Sequence, residues 1–585
     1  MAYKPRVIVV GGGLAGLMAV IKIAEAGVPC DLFSIVPCRR SHSVCAQGGI
    51  NGAVNTKGEG DSPERHFDDT VYGGDFLANQ TMAKAMCEAA PGVIYLFDRM
   101  GVPFSRTPEG LLDFRRFGGT LHNRTAFAGA TTGQQLLYAL DEQVRRWEVE
   151  GRVTRYEGWE FLSTVLDDSK VCHGIVALDI ATMEMRSFPG EAVILATGGI
   201  GRIFGRSTNS LVCTGSAPGA VFKQGVDYCN PEMVQVHPTA VPGEDKNRLM
   251  SESLRGEGGR VWTYKEGKPW YFLEEKYPKY GNLVPRDVAT REIFKVVTEL
   301  GLGVEGKALV YLDLTHLSQA THDKIRGVTE IYERFLGEDA RKVPLKVFPS
   351  MHYTMGGMWI ENKVGTAEDH MTNIKGLYAA GEAEYQYHGA NRLGANALMS
   401  CTFAGMLAGP ASVRYMKSLG GKDASTVPSS VFDAQRKREE ERFAELKKRT
   451  GPENTFKLCD ELGDMMTKNC TVVRYKKKLL ESVDKVKELK ERAKKAALTD
   501  DGGVYNEPLR FAAQFDNMLE IAHCITLGAS LRDESRGAHY MPEFPNRDDE
   551  KFLKTTRCAY APDGPKVTYD PVDIQYIKPR PRKYD

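Results

Sequence analysis

The run Arg39-Arg40-Ser41-His42-Ser43-Val44-Cys45-Ala46-Gln47-Gly48-Gly49-Ile50 sets one histidine between a nucleotide-binding unit and a double glycine. An isolated histidine is more often a surface or hydrogen-bonded core residue than a chemical one. The neighbours of His42 argue otherwise, because glycines let backbone approach a planar ligand with no Cβ in the way. The nucleotide-binding unit starts at Arg6-Val7-Ile8-Val9-Val10, an apolar β-branched run that reads as a buried parallel strand, followed at once by Gly11-Gly12-Gly13-Leu14-Ala15-Gly16. Leu14, Leu17, Met18 and Ile21 then recur at helical spacing, Gly27 stands where the helix should stop, and Pro29 to Ser34 form a second strand. A pyrophosphate would lie on the helix N-terminus, with Gly11, Gly13 and Gly16 as the GxGxxG glycines. Ser34 occupies the place where an acidic residue usually binds ribose, a departure that weakens a nicotinamide reading more than a flavin one.

The His42 run resembles the flavin-attachment loop in flavoprotein subunits of the succinate dehydrogenase and quinol:fumarate reductase family, in which a histidine ring nitrogen is joined to the 8α carbon of FAD. Five further segments resemble that family in chain order. They are Phe117-Gly118-Gly119; Gln235-Val236-His237-Pro238-Thr239; Ser251 to Gly259, which contains Arg255-Gly256-Glu257-Gly258-Gly259; Pro285 to Arg291; and His352 to Gly357 together with His388 to Gly394. The resemblance therefore covers nearly the whole chain.

A C4 dicarboxylate needs cationic or N–H donors at both ends, and arginine binds carboxylates bidentately. The resemblance implies that Arg392 and His352 hold one carboxylate, while His237 and Ser251 hold the other near the backbone of Phe117 and Gly118. Ser251 stands where the family commonly has threonine. Arg286 is assigned the proton transfer by resemblance alone, since a guanidinium is a poor acid in water. An Arg286, Glu252 and Arg255 relay to solvent extends that pattern. The reaction implied is interconversion of succinate and fumarate. Taken singly, each of these residues could equally be a structural histidine or a salt-bridge arginine.

The expected FAD contacts are a covalent bond through His42, together with Gly11, Gly13, Gly16, Ser34, Ser41, Ala46, Gln47, Gly48, Gly49, Thr197, Gly198, Glu382, Asn396, Ala397 and Leu398. Glu382 ends the strand-like segment Gly376 to Glu382 and is placed on the ribityl or ribose hydroxyls. Two departures mark a branch variant. Thr214-Gly215-Ser216 replaces a loop that often carries an acid, and Asn396-Ala397-Leu398 lacks a serine common before that leucine. The FAD contacts there are expected through backbone.

The fold expected is an α/β, multidomain one with a Rossmann-like FAD-binding domain at 1–240 and 354–424. A capping domain is inserted at 241–353, followed by a solvated helical domain at 425–535 and a wrapping C-terminal domain at 536–585. With 585 residues, 42% hydrophobic content and a formal charge of +1, the chain reads as a large enzyme with no electrostatic call for nucleic acid. The 59 glycines exceed the usual share of roughly 7%.

None of the 12 cysteines has zinc or iron-sulfur spacing, there is no CxxCH, and no metal is expected. Electrons must therefore leave to oxygen or to another subunit. The resemblance implies an iron-sulfur subunit and a membrane cytochrome b anchor with haem b and menaquinone, in the dihaem branch. The N-terminal apolar stretch carries dinucleotide glycines and charges, so it is not read as a signal peptide. With no apolar run long enough to span a bilayer, the chain is expected on the cytoplasmic face of the cell membrane, held there by its partners. L-aspartate oxidase, which shares several segments but holds FAD without a bond, is the alternative. A non-enzymatic scaffold built on the charged helices would make all these motifs accidental.

Overall fold

The computed structural model describes residues 3–584. Its centre is a five-stranded parallel sheet in the order Leu377–Ala379, Ala192–Leu195, Val7–Val10, Cys30–Ser34, Val153–Glu157. Both faces of Val7–Val10 are covered. Val7 and Val9 point into a core built with the helices Leu14–Glu25 and Asn396–Ser418, while Ile8 and Val10 point into a second core that includes the C-terminal helices. This period of two, with apolar side chains on both sides, is why the strand reads as an unbroken β-branched run. Strands Ala192–Leu195 and Leu377–Ala379 pair directly, Val193 opposite Leu377, although most of a domain separates them in sequence.

The intervening chain forms a six-stranded antiparallel sheet ordered Arg248–Leu249, Val234–Val241, Leu345–Thr354, Val310–Asp313, Arg260–Lys265, Lys268–Trp270. Its central pair shifts register between Gln235 and Val236 and again between His237 and Ala240. Such irregularities re-aim side chains, and here they flank His237. Helix Arg286–Phe294 begins directly after Pro285, so Arg286 occupies its first turn.

Four helices follow: Ser429–Lys447, Thr455–Asn469, Lys476–Ala493 and Glu507–Leu531. The expectation of a solvated bundle suits Lys476–Ala493, with its single buried stripe, but not Glu507–Leu531, which is buried on nearly every side. Strands Lys554–Ala559 and Lys566–Pro571 then pair and return the chain to Tyr228–Cys229. Among the described residues, no helix is long and apolar enough to cross a membrane.

The contact between helices Leu14–Glu25 and Asn396–Ser418 fixes the floor of the nucleotide cleft, and it depends on Gly405. A Cβ there would lie 2.3 Å from the Ala15 carbonyl oxygen. Gly405→Val should therefore lower stability by about 1–3 kcal/mol through overpacking and reduce bound FAD. Gly92→Ala, on an exposed helical position with open space around it, should gain about 0.5–1 kcal/mol of helix propensity. Thermal melts of both variants with flavin content measured alongside provide the check; equal destabilisation would refute the packing argument.

Candidate active site

At the carboxyl ends of the parallel strands lies a cleft of about 480 Å³. Gly11, at φ +121°, has no room for a Cβ, which would sit 2.1 Å from the Ala196 oxygen. Gly16 does not line the cleft. Its missing Cβ would fall 1.9 Å from the Gly11 oxygen, so it allows the helix to close on the strand. Gly12 and Gly13 face the cleft at the start of helix Leu14–Glu25, where free N–H groups favour a phosphate. Ser34, Ser41, Ala46, Gln47, Thr197, Gly198, Glu382, Ala397 and Leu398 also line it.

Three expected contacts lie elsewhere. Gly48 and Gly49 sit behind the wall, where the Gly48 carbonyl accepts from Arg115 Nε at 3.1 Å. The Asn396 side chain turns away, because Asn51, His66 and Thr70 hold it in a buried polar knot. Ser34 reaches the cleft with its hydroxyl spent on the Val36 carbonyl at 2.5 Å. Ser41 Oγ, Thr197 Oγ1 and Gln47 Oε1 are buried without a protein partner. Buried polar atoms are normally paired, so these orphans in a cleft with a phosphate-ready helix end fit a dinucleotide. Glu382 is pushed up to about 7 by burial, against the pull of the Thr354 N–H and Arg392.

His42 stands on this wall. The Ser210 backbone N–H donates to Nδ1 at 3.2 Å, and Asn209 Nδ2 lies 3.0 Å from Nε2. Because a backbone amide can only donate, Nδ1 is an acceptor and Nε2 is the nitrogen left for other chemistry. Burial, helped by Lys246, lowers the imidazole to about 4. Neither Asn209 nor Lys246 carried a local sequence signal; they come to His42 only through the fold.

A chamber bordering the cleft gathers the remaining residues. Glu252, fully buried, accepts from Arg286 Nε and Nη2 at 3.0 and 2.9 Å through Oε2 and from Arg255 Nη2 at 2.8 Å through Oε1. Burial pushes this carboxyl up, but Arg286 and Arg255 outweigh it and hold it below the ordinary range. Gly118 and Gly394 make room: Cβ atoms there would fall 2.3 and 2.7 Å from the two Glu252 oxygens. Phe117 packs beside them, under Gly48. Arg286 Nη1 donates to Gln235 Oε1 at 2.9 Å, a contact that the sequence did not single out. Arg255 is as buried as Glu252 and ends on the Asn282 carbonyl at 2.6 Å, so the expected relay does not emerge into solvent at that residue.

The histidines of the chamber are neutral. Burial, then Arg286, puts both His237 and His352 well below the usual imidazole range. The Thr239 N–H donates to His237 Nδ1 at 3.2 Å, which leaves the proton on Nε2, a buried donor with no partner. The His352 ring is 5.1 Å from that of His237, its Nδ1 2.7 Å from Thr208 Oγ1. Ser251 Oγ accepts from the Ser253 N–H and hydroxyl, freeing its own proton for an anion. Arg392 lies over Tyr353 at 4.4 Å with Nε unpartnered, and burial lowers it to about 9. Unpaired donors converge here from both halves of the chain.

Residues 6–398 match the family described as FAD binding domain, and residues 459–584 match that described as fumarate reductase flavoprotein C-term. The chain is 61% identical over 584 residues to the succinate dehydrogenase flavoprotein subunit of Bacillus subtilis, covering 99% of this chain and 98% of that protein. It is 33% identical to the fumarate reductase flavoprotein subunit of Escherichia coli, covering 100% and 96%. A solved quinol:fumarate reductase crystallised with menaquinol superposes with a TM-score of 0.90 at 33% identity, covering 99% of this chain and all of that one. These likenesses set aside the aspartate oxidase alternative, and the chain belongs to the family of succinate dehydrogenase and fumarate reductase flavoprotein subunits, which are FAD-dependent oxidoreductases.

Proposed function

We propose that the chamber binds succinate and fumarate, with His237 and Ser251 on one carboxylate, His352 and Arg392 on the other, and Arg286 exchanging a proton with the carbon between them and the flavin-facing methylene. The observation that carries this reading is the set of buried, unspent donors: His237 Nε2, Arg392 Nε and the Ser251 hydroxyl. FAD, bound in the cleft, supplies the two-electron exchange with the substrate carbon. The chain supplies position and charge. Glu252 fixes the Arg286 guanidinium from one side and Gln235 from another, so its free edge can be aimed at substrate. Phe117 and Gly118 close the chamber over Glu252.

The FAD is bonded through His42 Nε2, supported by the Ser210 N–H that claims Nδ1. Electrons pass to or from an iron-sulfur subunit and a membrane anchor. The likeness to complexes containing succinate dehydrogenase and menaquinol-linked fumarate reductase supports that assembly. Its finer description is a dihaem cytochrome b anchor with menaquinone, holding this chain at the cytoplasmic face. The divisions at 240, 353, 424 and 535 complete the reading; the six-stranded sheet, which starts at Val234 and closes at Thr354, supports a capping unit between the two FAD-binding parts.

Arg286→Lys should lower turnover in both directions by about 100- to 10,000-fold, the worth of a positioned proton-transfer group, with FAD still attached. Lysine keeps the charge but cannot span Glu252 and Gln235 together. Dye-coupled assays in each direction decide it, and near-normal turnover would move the role to Arg255.

His42→Ser should keep FAD bound but release it on acid precipitation, and should lose more succinate oxidation than fumarate reduction, because an electron-withdrawing bond at 8α raises the flavin potential. The wild-type imidazole, lowered to about 4, is neutral above that pH. Attachment to apoprotein should therefore proceed as readily at pH 5 as at pH 7, whereas an ordinary imidazole near pKa 6.5 would be mostly protonated at pH 5. Counting acid-stable flavin per chain at both pH values tests this. Flavin still fixed to the variant would refute His42 as the attachment point.

A further inference from the structure

We propose that Arg582 is a positioning residue for the proton transfer: its guanidinium pins the first turn of helix Arg286–Phe294 and so fixes Arg286 against Glu252 and Gln235. The inference rests on the role proposed for Arg286. Residue 582 lies in a polar, proline-rich segment far from every motif of the site, yet its side chain is only 9% exposed.

Every edge of the guanidinium is occupied. Nη1 and Nη2 donate to the two Asp287 oxygens at 2.7 and 2.9 Å, and Nε donates to the Tyr584 hydroxyl at 2.9 Å. Asp287 follows Arg286 directly, and its carboxylate is 1% exposed. Burial pushes that carboxyl up, but Arg582 and Arg291 hold it below the ordinary range. Its other partner, Arg291, is longer at 3.2 Å and 29% exposed. A bidentate fork fixes direction as well as distance, so Arg582 orients the helix start in a way that Arg291 does not.

The pin is anchored at its far side. Arg582 Nη1 lies 3.8 Å from Asp75, which is itself held by Arg547 at 2.8 Å and by the Gly537 N–H at 2.8 Å. Tyr584 packs edge-on against Tyr72 and Tyr280 and belongs to the apolar core of the inserted unit, while the Tyr72 hydroxyl donates to the Lys583 carbonyl at 3.0 Å. One cation thus ties the helix that carries Arg286 to the half of the molecule that carries Arg392. Proton transfer is sensitive to displacements well below the size of a side chain; substrate binding, shared among four other residues, is less so.

The test uses the full chain with its FAD and partner subunits. Arg582→Gln should lower kcat for succinate oxidation by about 10- to 100-fold, while affinity for the unreactive dicarboxylate malonate, read from the flavin spectrum, stays within about threefold. The solvent deuterium isotope effect on kcat should rise, because the proton step becomes more rate-limiting. Acid-stable flavin per chain should be unchanged, and Arg582→Lys should recover part of the loss. Asp287→Asn breaks the same pair from the helix side with little change in volume, and it should reproduce the kcat loss and the isotope effect even if Arg582→Gln folds poorly.

Turnover within about twofold of wild type in both variants would overturn the proposal. So would parallel losses of kcat, malonate affinity and flavin with no change in isotope effect, which would make the segment a general brace. Arg286→Lys run alongside separates the two readings. An active Arg286→Lys would sink the proton-transfer assignment itself, whereas an inactive one beside unaffected Arg582 and Asp287 variants would sink only the pin.

Discussion

The buried carboxylate of Glu252, shared between Arg286 and Arg255, is the interaction on which the chamber depends. Three guanidiniums, Arg286, Arg255 and Arg392, face one ionised carboxylate, since Glu382 is pushed up to about 7 and the two histidines are neutral. Three positive charges and one negative leave an excess of two. Uncompensated buried charge is costly, and a C4 dicarboxylate carries the two negative charges that would offset this excess. Selectivity for a dianion over a monocarboxylate then follows from charge count before any shape is considered.

The same arithmetic explains why the histidines are useful neutral. A protonated imidazole would raise the excess to three or four and bind water or chloride as readily as substrate. Held neutral by burial and by the arginines, His237 contributes one aimed N–H. The register shifts in strand Val234–Val241 point that N–H inward from a strand whose residues are all buried.

Much of the architecture was legible because it obeys local rules. The β-branched run before Gly11 is a central parallel strand, and the segment ending at Glu382 is its distant sheet companion. The motif histidines and arginines did converge. What stayed hidden depends on contacts between residues far apart in the chain. Asn396 reads like its neighbours Ala397 and Leu398, but three buried polar side chains capture it. Asn209 and Ser210, which set the usable nitrogen of His42, sit in a loop with no motif. Helix Glu507–Leu531 was taken as part of a solvated bundle because the charged helices around it dominate that stretch, while its own burial is decided by packing on the central sheet. Arg582 belonged to a short basic run that periodicity could not place.

None of these features favours one direction of reaction. The donors that neutralise two carboxylates do so equally for the saturated and the unsaturated acid, and a group that takes a proton from one carbon must, by microscopic reversibility, return it along the same path. The chain therefore sets the rate and the choice of substrate, whereas direction is set by potentials: that of the flavin, which a bond through His42 would raise, and that of whatever accepts or supplies its electrons. Within this chain the lever on direction is the His42 wall and its neighbours Asn209, Ser210 and Lys246, while the lever on rate is the Glu252 cluster. The two lie on different strands and loops, so the fold lets potential and proton transfer vary independently.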